Sequence, residues 1–305
     1  MVRSLCLAAA AVTLMLNPGS ARAQNQVDAP TFDWSGAIPA GGTLHLADVD
    51  GNIRVTATTS SQAKVHGERT HVRSGERALV FQVVTSGTDV TVCALHRDGE
   101  CDQSGAHSRD HDHWENYGES PRADLTVELP AGVRLAAHTG DGGIDIKDAG
   151  ADVVAKSGDG TITIAGAAGT VDARSGDGDI TLSGVKGSAT AHTGDGNIQV
   201  SAGTAPVKLT SGDGRIEVHV GATGDGQSVS AHTGDGSITV YLPASFVGEV
   251  EATTGDGRLQ SDFPLTIDGG RMDGHHLRGT VGSASVNSAR VTLSTGDGDV
   301  ELKKA

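Results

Sequence analysis

The residues with reactive side chains that recur most regularly in this sequence are aspartates that lie between two glycines. The tetrapeptide Ser/Thr-Gly-Asp-Gly occurs nine times in the 305-residue chain. Each carboxylate can accept hydrogen bonds from the N–H groups of its own turn, where glycines permit positive φ; alternatively, a column of carboxylates can bind Ca²⁺. We predict capped, structural turns, with a Ca²⁺ column as the alternative. The aspartates are Asp141, Asp159, Asp177, Asp195, Asp213, Asp225, Asp235, Asp256 and Asp297.

The residue two positions after each aspartate favours capped turns over Ca²⁺. The Ca²⁺ hypothesis rests on a resemblance to the repeats-in-toxin β-roll, a family that places a metal-binding aspartate at this position. Arginine has no oxygen with which to bind a cation, and the position holds arginine twice. Its occupants are Gly143, Thr161, Asp179, Asn197, Arg215, Ser237, Arg258 and Asp299.

One histidine-rich segment has ligand types that suit Zn²⁺ or Cu²⁺. Its candidate ligands are His96, His107, His111 and His113, with Asp98, Asp110 and Asp112 between them. Their spacing matches no zinc-ligand pattern, and the composition is typical of a loop. We therefore favour a polar loop over a metal site, and we expect no cofactor.

The first 23 residues have the pattern of an export signal. Arg3 precedes an apolar stretch from Leu5 to Leu16, and Ala21-Arg22-Ala23 is a typical cleavage site. This apolar stretch is too short to cross a bilayer as a helix, and no later segment is long and apolar enough to do so. Cys93 and Cys101 are the two cysteines outside this signal, and an oxidising compartment predicts a disulfide between them. We expect a periplasmic or extracellular protein.

The sequence has no His-Glu-x-x-His zinc motif, no Gly-x-Ser-x-Gly nucleophile elbow and no phosphate-binding loop. Solenoid enzymes that cleave polysaccharides use outward acids and a basic residue on adjacent coils. Such a lyase-like, polysaccharide-active enzyme is the alternative to our favoured prediction of a non-enzymatic binding protein. Its nearest candidates are Arg215, Glu217, His219, Glu249, Glu251 and Arg258.

The formal charge of −15 disfavours nucleic acid as a partner, because the phosphate backbone would be repelled. Glycans or proteins of the cell envelope are the expected partners. Aromatic residues make up 3% of the chain and 44 residues are glycine, so we expect a thin, repetitive core.

The elements that position these residues follow from the repeat. Successive motif aspartates are 18 residues apart from Asp141 to Asp213. With Asp225 left aside, the steps then lengthen to 22 residues (Asp213 to Asp235), 21 (Asp235 to Asp256) and 41 (Asp256 to Asp297), the last interpreted as two coils with a degenerate middle. Apolar residues alternate on both sides of each turn, as in Val153/Ala155 and Ile162/Ile164, which predicts two strands per repeat. About twenty strands exceed what one open antiparallel meander tolerates. We therefore predict an all-β, parallel β-solenoid with 18-residue coils and Gly-Asp-Gly turns.

Domain boundaries follow from where the repeat is present. We predict a signal peptide over 1–23, an N-terminal lead-in over 24–42 and a degenerate first coil over 43–57. Residues 58–123 are predicted to be a non-repeat excursion that contains the histidine-rich loop. Residues 124–305 are predicted to form the solenoid repeats.

Three motifs occur in order along the chain: LHLADVDGNIRV near the start, repeated (S/T)-G-D-G-x-I-x-(V/I/L), and FPLTIDGG, LRGTVG and VTLSTGDGDVEL near the end. Together they resemble the bacterial DUF4097 β-strand-repeat family, described as adhesins, and the related head-domain adhesins. The resemblance implies a β-solenoid with a role in adhesion or in the cell envelope, and it implies no catalytic residues.

Overall fold

The computed structural model describes residues 22–23, 26–71, 79–97, 99–107, 122–202, 206–221, 227–267, 274–283 and 288–305. Over these ranges the chain forms 27 strands and no helix, and so no membrane-spanning helix. Residues 1–21 of the predicted signal peptide lie outside them.

The strands before the regular repeats are β1 (Arg22–Ala23), β2 (Thr31–Ala37), β3 (Thr43–Asp48), β4 (Ile53–Thr58), β5 (Gln62–His71), β6 (Leu79–Ser86), β7 (Asp89–His96), β8 (Glu100–Asp102), β9 (Gly105–His107) and β10 (Arg122–Pro130). The regular coils contain β11 (Arg134–His138), β12 (Ile144–Ala149), β13 (Val153–Lys156), β14 (Ile162–Ala167), β15 (Val171–Arg174), β16 (Ile180–Val185), β17 (Ala189–Thr193), β18 (Ile198–Ala202), β19 (Val207–Ser211), β20 (Ile216–Val220), β21 (Ser228–Thr233) and β22 (Ile238–Leu242). The C-terminal strands are β23 (Gly248–Thr253), β24 (Leu259–Ser261), β25 (His276–Val281), β26 (Ala289–Thr295) and β27 (Val300–Lys304).

Two long sheets lie face to face, and the predicted parallel solenoid is confirmed. Sheet A has the order β1-β6-β7-β3-β11-β13-β15-β17-β19-β21-β26-β23-β25, and sheet B the order β2-β5-β10-β4-β12-β14-β16-β18-β20-β22-β27-β24. Each regular coil gives one strand to each sheet. Equivalent residues of successive coils pair in parallel register, for example Val153 with Val171 and Ile162 with Ile180.

The core is the thin space between the sheets. Sheet A contributes mainly valine and alanine, and Ala155 and Ala173 are fully buried; sheet B contributes Ile162 and Ile180, also fully buried. Burying an isoleucine stabilises the fold by roughly 1.5–3 kcal/mol. Small residues on one sheet and branched residues on the other therefore keep the two sheets close together without leaving cavities.

The glycines of the Gly-Asp-Gly turns are required by close approach between coils. We predicted positive φ at these glycines, and this was wrong: the positive-φ glycines of the described chain all lie elsewhere, as at Gly166 and Gly184. A methyl group built at Gly160 would overlap with the carbonyl oxygen of Gly142 in the preceding coil, and Gly178 meets Gly160 in the same way. The turns stack so closely that no side chain fits between them.

The serine or threonine before each turn provides the turn's hydrogen bonds. Ser175 Oγ donates to the Gly160 carbonyl of the preceding coil at 2.9 Å and accepts the N–H of Gly178 in its own coil at 3.1 Å. Eight buried hydroxyls repeat the bond to the preceding coil at 2.7–2.9 Å. We name them the hydroxyl column: Thr139, Ser157, Ser175, Thr193, Ser211, Thr233, Thr295 and Thr254.

Asp48 occupies the hydroxyl-column position in the N-terminal coil, because its neighbour Ala47 pairs with His138. The residue is 6% exposed, and neither carboxylate oxygen has a well-formed hydrogen bond, although the N–H groups of Gly51 and Asp50 are near. Burial, with smaller contributions from nearby carboxylates, raises the pKa of Asp48 well above its ordinary value. On its other side Asp48 pairs with Ala94 of β7, which is not part of a regular repeat coil.

The last coil along the chain is not the last coil of the stack. β26 and β27 lie between the coil of β21 and β22 and the coil of β23 and β24. The interpretation of the 41-residue step as two successive coils is therefore wrong. The intervening chain forms β25, which pairs antiparallel with β23. The chain then continues into β26 and β27, which pair between the two earlier coils. This path leaves an irregular coil at the C-terminal end, as expected where one face meets water.

The segment predicted as an excursion, 58–123, adds strands to both sheets in its described part. β5 and β10 extend sheet B beyond β4, and β6 and β7 extend sheet A beyond β3. A disulfide joins Cys93 of β7 to Cys101 of β8. The short β8–β9 hairpin packs with Ala47, Val80 and Leu95 in a second small apolar cluster.

Aromatic side chains close both ends of the core. Phe32 and Phe81 stack with ring centroids 5.1 Å apart at the N-terminal end, beside Trp34. Phe246 and Phe263 form an edge-to-face pair at 5.9 Å at the C-terminal end. The regular coils between the ends leave room only for small and branched side chains. The large rings therefore lie at the two ends.

Removing one hydroxyl of the column should destabilise the stack. Ser175→Ala leaves the Gly160 carbonyl and the Gly178 N–H without partners, which costs about 1–3 kcal/mol. Ser175→Thr should be tolerated, because threonine occupies the same position in Thr193. Asp177→Asn, at the exposed turn position, should change stability by less than about 0.5 kcal/mol. Urea unfolding followed by circular dichroism measures all three; equal losses in Ser175→Ala and Asp177→Asn would contradict the assignment.

The buried Asp48 should make stability depend on pH. The unfolded chain loses this proton near its ordinary pKa of 3.8, whereas the native state keeps it to higher pH, so native stability falls as pH rises through the native pKa. Asp48→Asn removes this dependence. We expect the stability advantage of Asp48→Asn over the natural protein to grow from pH 4 to pH 8 in urea unfolding. Asp177→Asn is the matched control, and parallel pH profiles for Asp48→Asn and the natural protein would disprove the role of Asp48.

Candidate functional site

The turn aspartates form an exposed column along one edge of the solenoid. Eight of the nine predicted aspartates lie in the described chain, all of them exposed, and Asp225 lies outside it. No described residue donates a hydrogen bond to these eight side chains or forms an ion pair with them. No hydrogen bond in the described chain supports the prediction that these aspartates cap their own turns. The hydroxyl column bonds to the turns instead, as Ser175 does to the Gly178 N–H. Solvent screens their mutual repulsion, which in bulk water is about 0.9 kcal/mol at a strand spacing of ~4.8 Å.

The position two residues after each aspartate forms a hydrogen-bonded ladder between coils. Asp179 Oδ1 accepts the backbone N–H of Asn197 at 2.7 Å, and Asn197 Oδ1 accepts that of Arg215 at 3.0 Å. Asp299 Oδ1 accepts the backbone N–H of Arg258 at 2.8 Å, and Asp299 Oδ2 accepts a hydrogen bond from the Arg258 guanidinium at 3.0 Å. These side-chain oxygens accept backbone N–H groups of the adjacent coil. A residue that only donates its backbone N–H needs no particular side chain, so arginine can occupy the same column as asparagine and aspartate.

The histidine candidates are not brought together in the described chain. His96 ends β7, and only the backbone of His107 is described, within β9. His111 and His113 lie outside the described residues. Among the residues that are described, no group of three or more histidine, cysteine, aspartate or glutamate side chains is arranged to hold a metal ion.

The six lyase candidates divide between the two sheets. Arg215, Glu217 and His219 lie on or next to β20 of sheet B, and their side chains point outward. Glu249 and Glu251 lie on β23 of sheet A, and Arg258 precedes β24. The first three form one row along a strand, Glu249 and Glu251 lie on the other sheet, and Arg258 lies next to β24 of sheet B, three strands away from β20.

The row on β20 belongs to a connected group of outward side chains. His219 Nε2 lies 2.7 Å from Glu217 Oε1, and the His219 ring stacks on Tyr241 of β22 with centroids 4.2 Å apart and planes 6° apart. Lys303 Nζ of β27 lies 5.9 Å from the Tyr241 ring centroid and 2.7 Å from Glu301 Oε2. The hydrogen bond with Glu301 raises the pKa of Lys303. We name Glu217, His219, Tyr241, Glu301 and Lys303 the sheet B patch.

Two open hollows flank the patch at opposite ends of the same strands. The hollow near the turn edge, of about 520 Å³, is polar; it is lined by Asn197, Gln199, Arg215 and Glu217, with Asp213, Asp235 and Ser237 around it. The hollow at the other edge, of about 650 Å³, is lined by His219 and by small or apolar residues: Gly184, Ser201, Val220, Gly221, Pro243, Ala244 and Ala305. The patch therefore lies between a polar and a largely apolar depression.

Sequence reasoning identified Glu217 and His219 but missed Tyr241, Glu301 and Lys303. Parallel register aligns His219 with Tyr241 and Tyr241 with Lys303. Aligning the repeats by their Gly-Asp-Gly turns would have revealed this contact, since His219, Tyr241 and Lys303 then occupy the same column. The 62-residue separation of Tyr241 and Lys303 hides their contact, because the C-terminal coil inserts into the stack.

The fold defines a two-sided parallel β-solenoid with a repeat-built surface. Residues 43–303 match the family model described as Toastrack DUF4097, so the chain belongs to this family, and the resemblance inferred from the motifs is confirmed.

Two solved structures are similar to the chain. One is a "putative cell adhesion protein" from Clostridium sporogenes ATCC 15579, with 12% identity, 90% of this chain and 100% of that chain covered, and a TM-score of 0.29. The other is a "putative adhesin" from Bacteroides fragilis NCTC 9343, with 15% identity, 89% and 96% covered, and a TM-score of 0.45. No curated protein matches the chain.

Adding or removing metal ions should leave the thermal stability unchanged. A ligand that binds only the native state raises stability by about 2.7 kcal/mol at one hundred times its Kd, so a bound Ca²⁺ column would raise Tm as Ca²⁺ is added. Because the ladder oxygens already accept backbone N–H groups, we expect the same Tm in EDTA, Ca²⁺ and Zn²⁺. A Zn²⁺-dependent rise that is lost in His111→Ala/His113→Ala would instead establish a metal site in the histidine-rich segment.

Proposed function

We propose that the protein is an exported, non-catalytic scaffold of the cell envelope or cell surface that binds extended partners, in the manner of an adhesin. The observation that supports this most directly is the pair of long sheets of 13 and 12 strands, whose outward side chains are aligned in columns. Such a surface presents the same kinds of contact at each strand spacing. It suits a polymer that is bound through many weak contacts.

Glycans are the partners that best fit the chemistry of these surfaces. Serine, threonine, asparagine and glutamine recur in the outward columns, as in Thr163, Thr181 and Gln199 of sheet B. Hydroxyl and amide groups exchange hydrogen bonds with sugar hydroxyls. The charge of −15 disfavours nucleic acid and anionic membranes.

The geometry of the sheet B patch supports binding over catalysis. A lyase needs a base free to take a proton from the substrate, in a site that excludes water. The His219 and Glu217 side chains pair with each other, and they are 42% and 32% exposed. The same pair would supply the acid and the base if the protein were a lyase, so turnover has to be measured directly.

The disulfide supports an oxidising compartment. Cys93 and Cys101 are bonded in the structure, and such bonds persist in the periplasm and outside the cell. We propose that the scaffold needs neither a metal ion nor a cofactor, since the turns are stabilised by hydroxyl and amide groups of the chain itself.

Co-sedimentation with insoluble polymers tests the scaffold function. We expect the full chain to sediment with at least one polymer among cellulose, chitin and peptidoglycan sacculi, and to release no soluble sugar. Ultraviolet absorbance of unsaturated products is measured in parallel on polygalacturonate and alginate. Release of unsaturated oligosaccharides would replace the scaffold with a lyase. Failure to sediment with any of these polymers or with isolated cell envelopes would contradict the binding function.

A further inference from the structure

We infer that the sheet B patch and its two flanking hollows form a binding site for a neutral oligosaccharide that lies along β20. This inference rests on the proposed function and names its ligand class and its site. Three features of the patch carry it: ordered exposed side chains, the arrangement of polar and apolar surface, and the local charge.

Contacts with one another fix the positions of the five patch side chains, although the solenoid does not require these residue types for its folding. In the columns that contain Glu217 and His219, neighbouring coils of sheet B have Thr181 and Gln199, and Ser183 and Ser201. The stack thus forms equally well with small polar residues at these positions. Ion pairs and ring stacking nevertheless fix the five patch side chains at the surface. Side chains arranged in this way lose little entropy when a ligand binds.

Tyr241 stands apart from the other described aromatic residues. The phenylalanines and Trp34 are buried at the two ends of the core, whereas Tyr241 is half-buried on the outer face of a regular coil. One face of its ring covers His219, and Lys303 lies near the ring. Tyr241 therefore holds the His219 ring upright instead of offering its own face to a ligand.

The outer face of the His219 ring is open because its neighbour on β18 is small. Ser201 pairs with His219 across the two strands, and Gly184 lies beyond it at the edge of the same hollow. Pro243 and Ala244 give this hollow an apolar lining. The C–H face of a sugar ring is apolar, so it can pack on the imidazole and on this lining.

The opposite hollow offers the complementary chemistry. Gln199 and Arg215 line it with planar polar groups that can make paired hydrogen bonds with neighbouring hydroxyls. Asn197 and Glu217 lie beside them, with side chains that already bond to the ladder and to His219. β20 has five residues, which at about 3.3 Å per residue span roughly 16 Å. A short linear oligosaccharide lying along the strand would contact both hollows at once.

Charge selects a neutral ligand. Lys303 is paired with Glu301, and Glu217 lies beside His219. Asp213 and Asp235 at the rim of the polar hollow have no partner among the described residues. The site has two cations, Arg215 and Lys303, and four anions, Asp213, Glu217, Asp235 and Glu301. This excess of negative charge repels uronic acids and sulfated sugars at low salt.

Calorimetric titration of the full chain with cellotetraose, the N-acetylglucosamine tetramer and tetragalacturonate tests the inference. We expect at least one neutral tetramer to bind, and tetragalacturonate to bind at least tenfold more weakly. His219→Ala and Ser201→Phe, which remove the imidazole face and fill the space beside it, should each raise Kd about tenfold, the size expected for one stacking contact. His192→Ala, an exposed histidine of sheet A, is the matched control and should leave Kd unchanged.

Unfolding midpoints of all variants show whether the stack is intact, and Tyr241→Phe, which keeps the ring, should retain most of the binding. Neutral-sugar binding that is unaffected by His219→Ala and Ser201→Phe would overturn the site but keep the scaffold. Preference for tetragalacturonate would overturn the ligand class. Absence of binding to both neutral tetramers would overturn the inference, whereas the proposed function would fail only if the polymers and cell envelopes were also not bound.

Discussion

The close stacking of the Gly-Asp-Gly turns fixes how each coil sits on the next. A buried hydroxyl on each coil donates to the second glycine carbonyl of the preceding coil, and the glycines leave no room for a Cβ between them. One coil can therefore sit on the next in only one register. Once the register is set, valine and alanine align in sheet A and isoleucine in sheet B, so that the core is built from identical layers.

This constraint divides the positions of the repeat into two kinds. Inward residues, turn glycines and the hydroxyl column are restricted to a few residue types, because each contacts its equivalents on both sides. Outward positions and the turn aspartates face solvent; the outward positions differ between coils, whereas the aspartate recurs in every motif. The aspartates form a negative edge, while the outward columns differ from coil to coil and are where we propose that partners bind.

The two ends of the stack differ from the regular coils, because each has sheet edges and an end of the core that no further coil covers. Antiparallel strands cover both edges of sheet A and the N-terminal edge of sheet B, and the parallel strand β24 at the remaining edge has only three residues. Both features limit the open-ended pairing that an exposed parallel edge invites. Phe32 and Phe81 at one end, and Phe246 and Phe263 at the other, close a core that is too thin for aromatics elsewhere. At the C-terminal end the chain first builds the outer coil and then inserts its final coil behind it. That insertion brings Lys303 and Glu301 beside Tyr241 and so completes the sheet B patch.

The all-β parallel solenoid, the 18-residue coil, the alternation of the core and the family could all be predicted from the amino-acid pattern. This was possible because each inward position is repeated many times, and the period of two within strands is local information. The roles within the turn could not be predicted: the aspartate stands out in the sequence, but the neighbouring hydroxyl makes the hydrogen bonds. The packing of one coil on another sets these roles, since the partner of Ser175 is a carbonyl 15 residues away, on another coil. The order of the last coils and the sheet B patch were likewise decided by packing between coils, because residues far apart in sequence meet there only after the chain has doubled back.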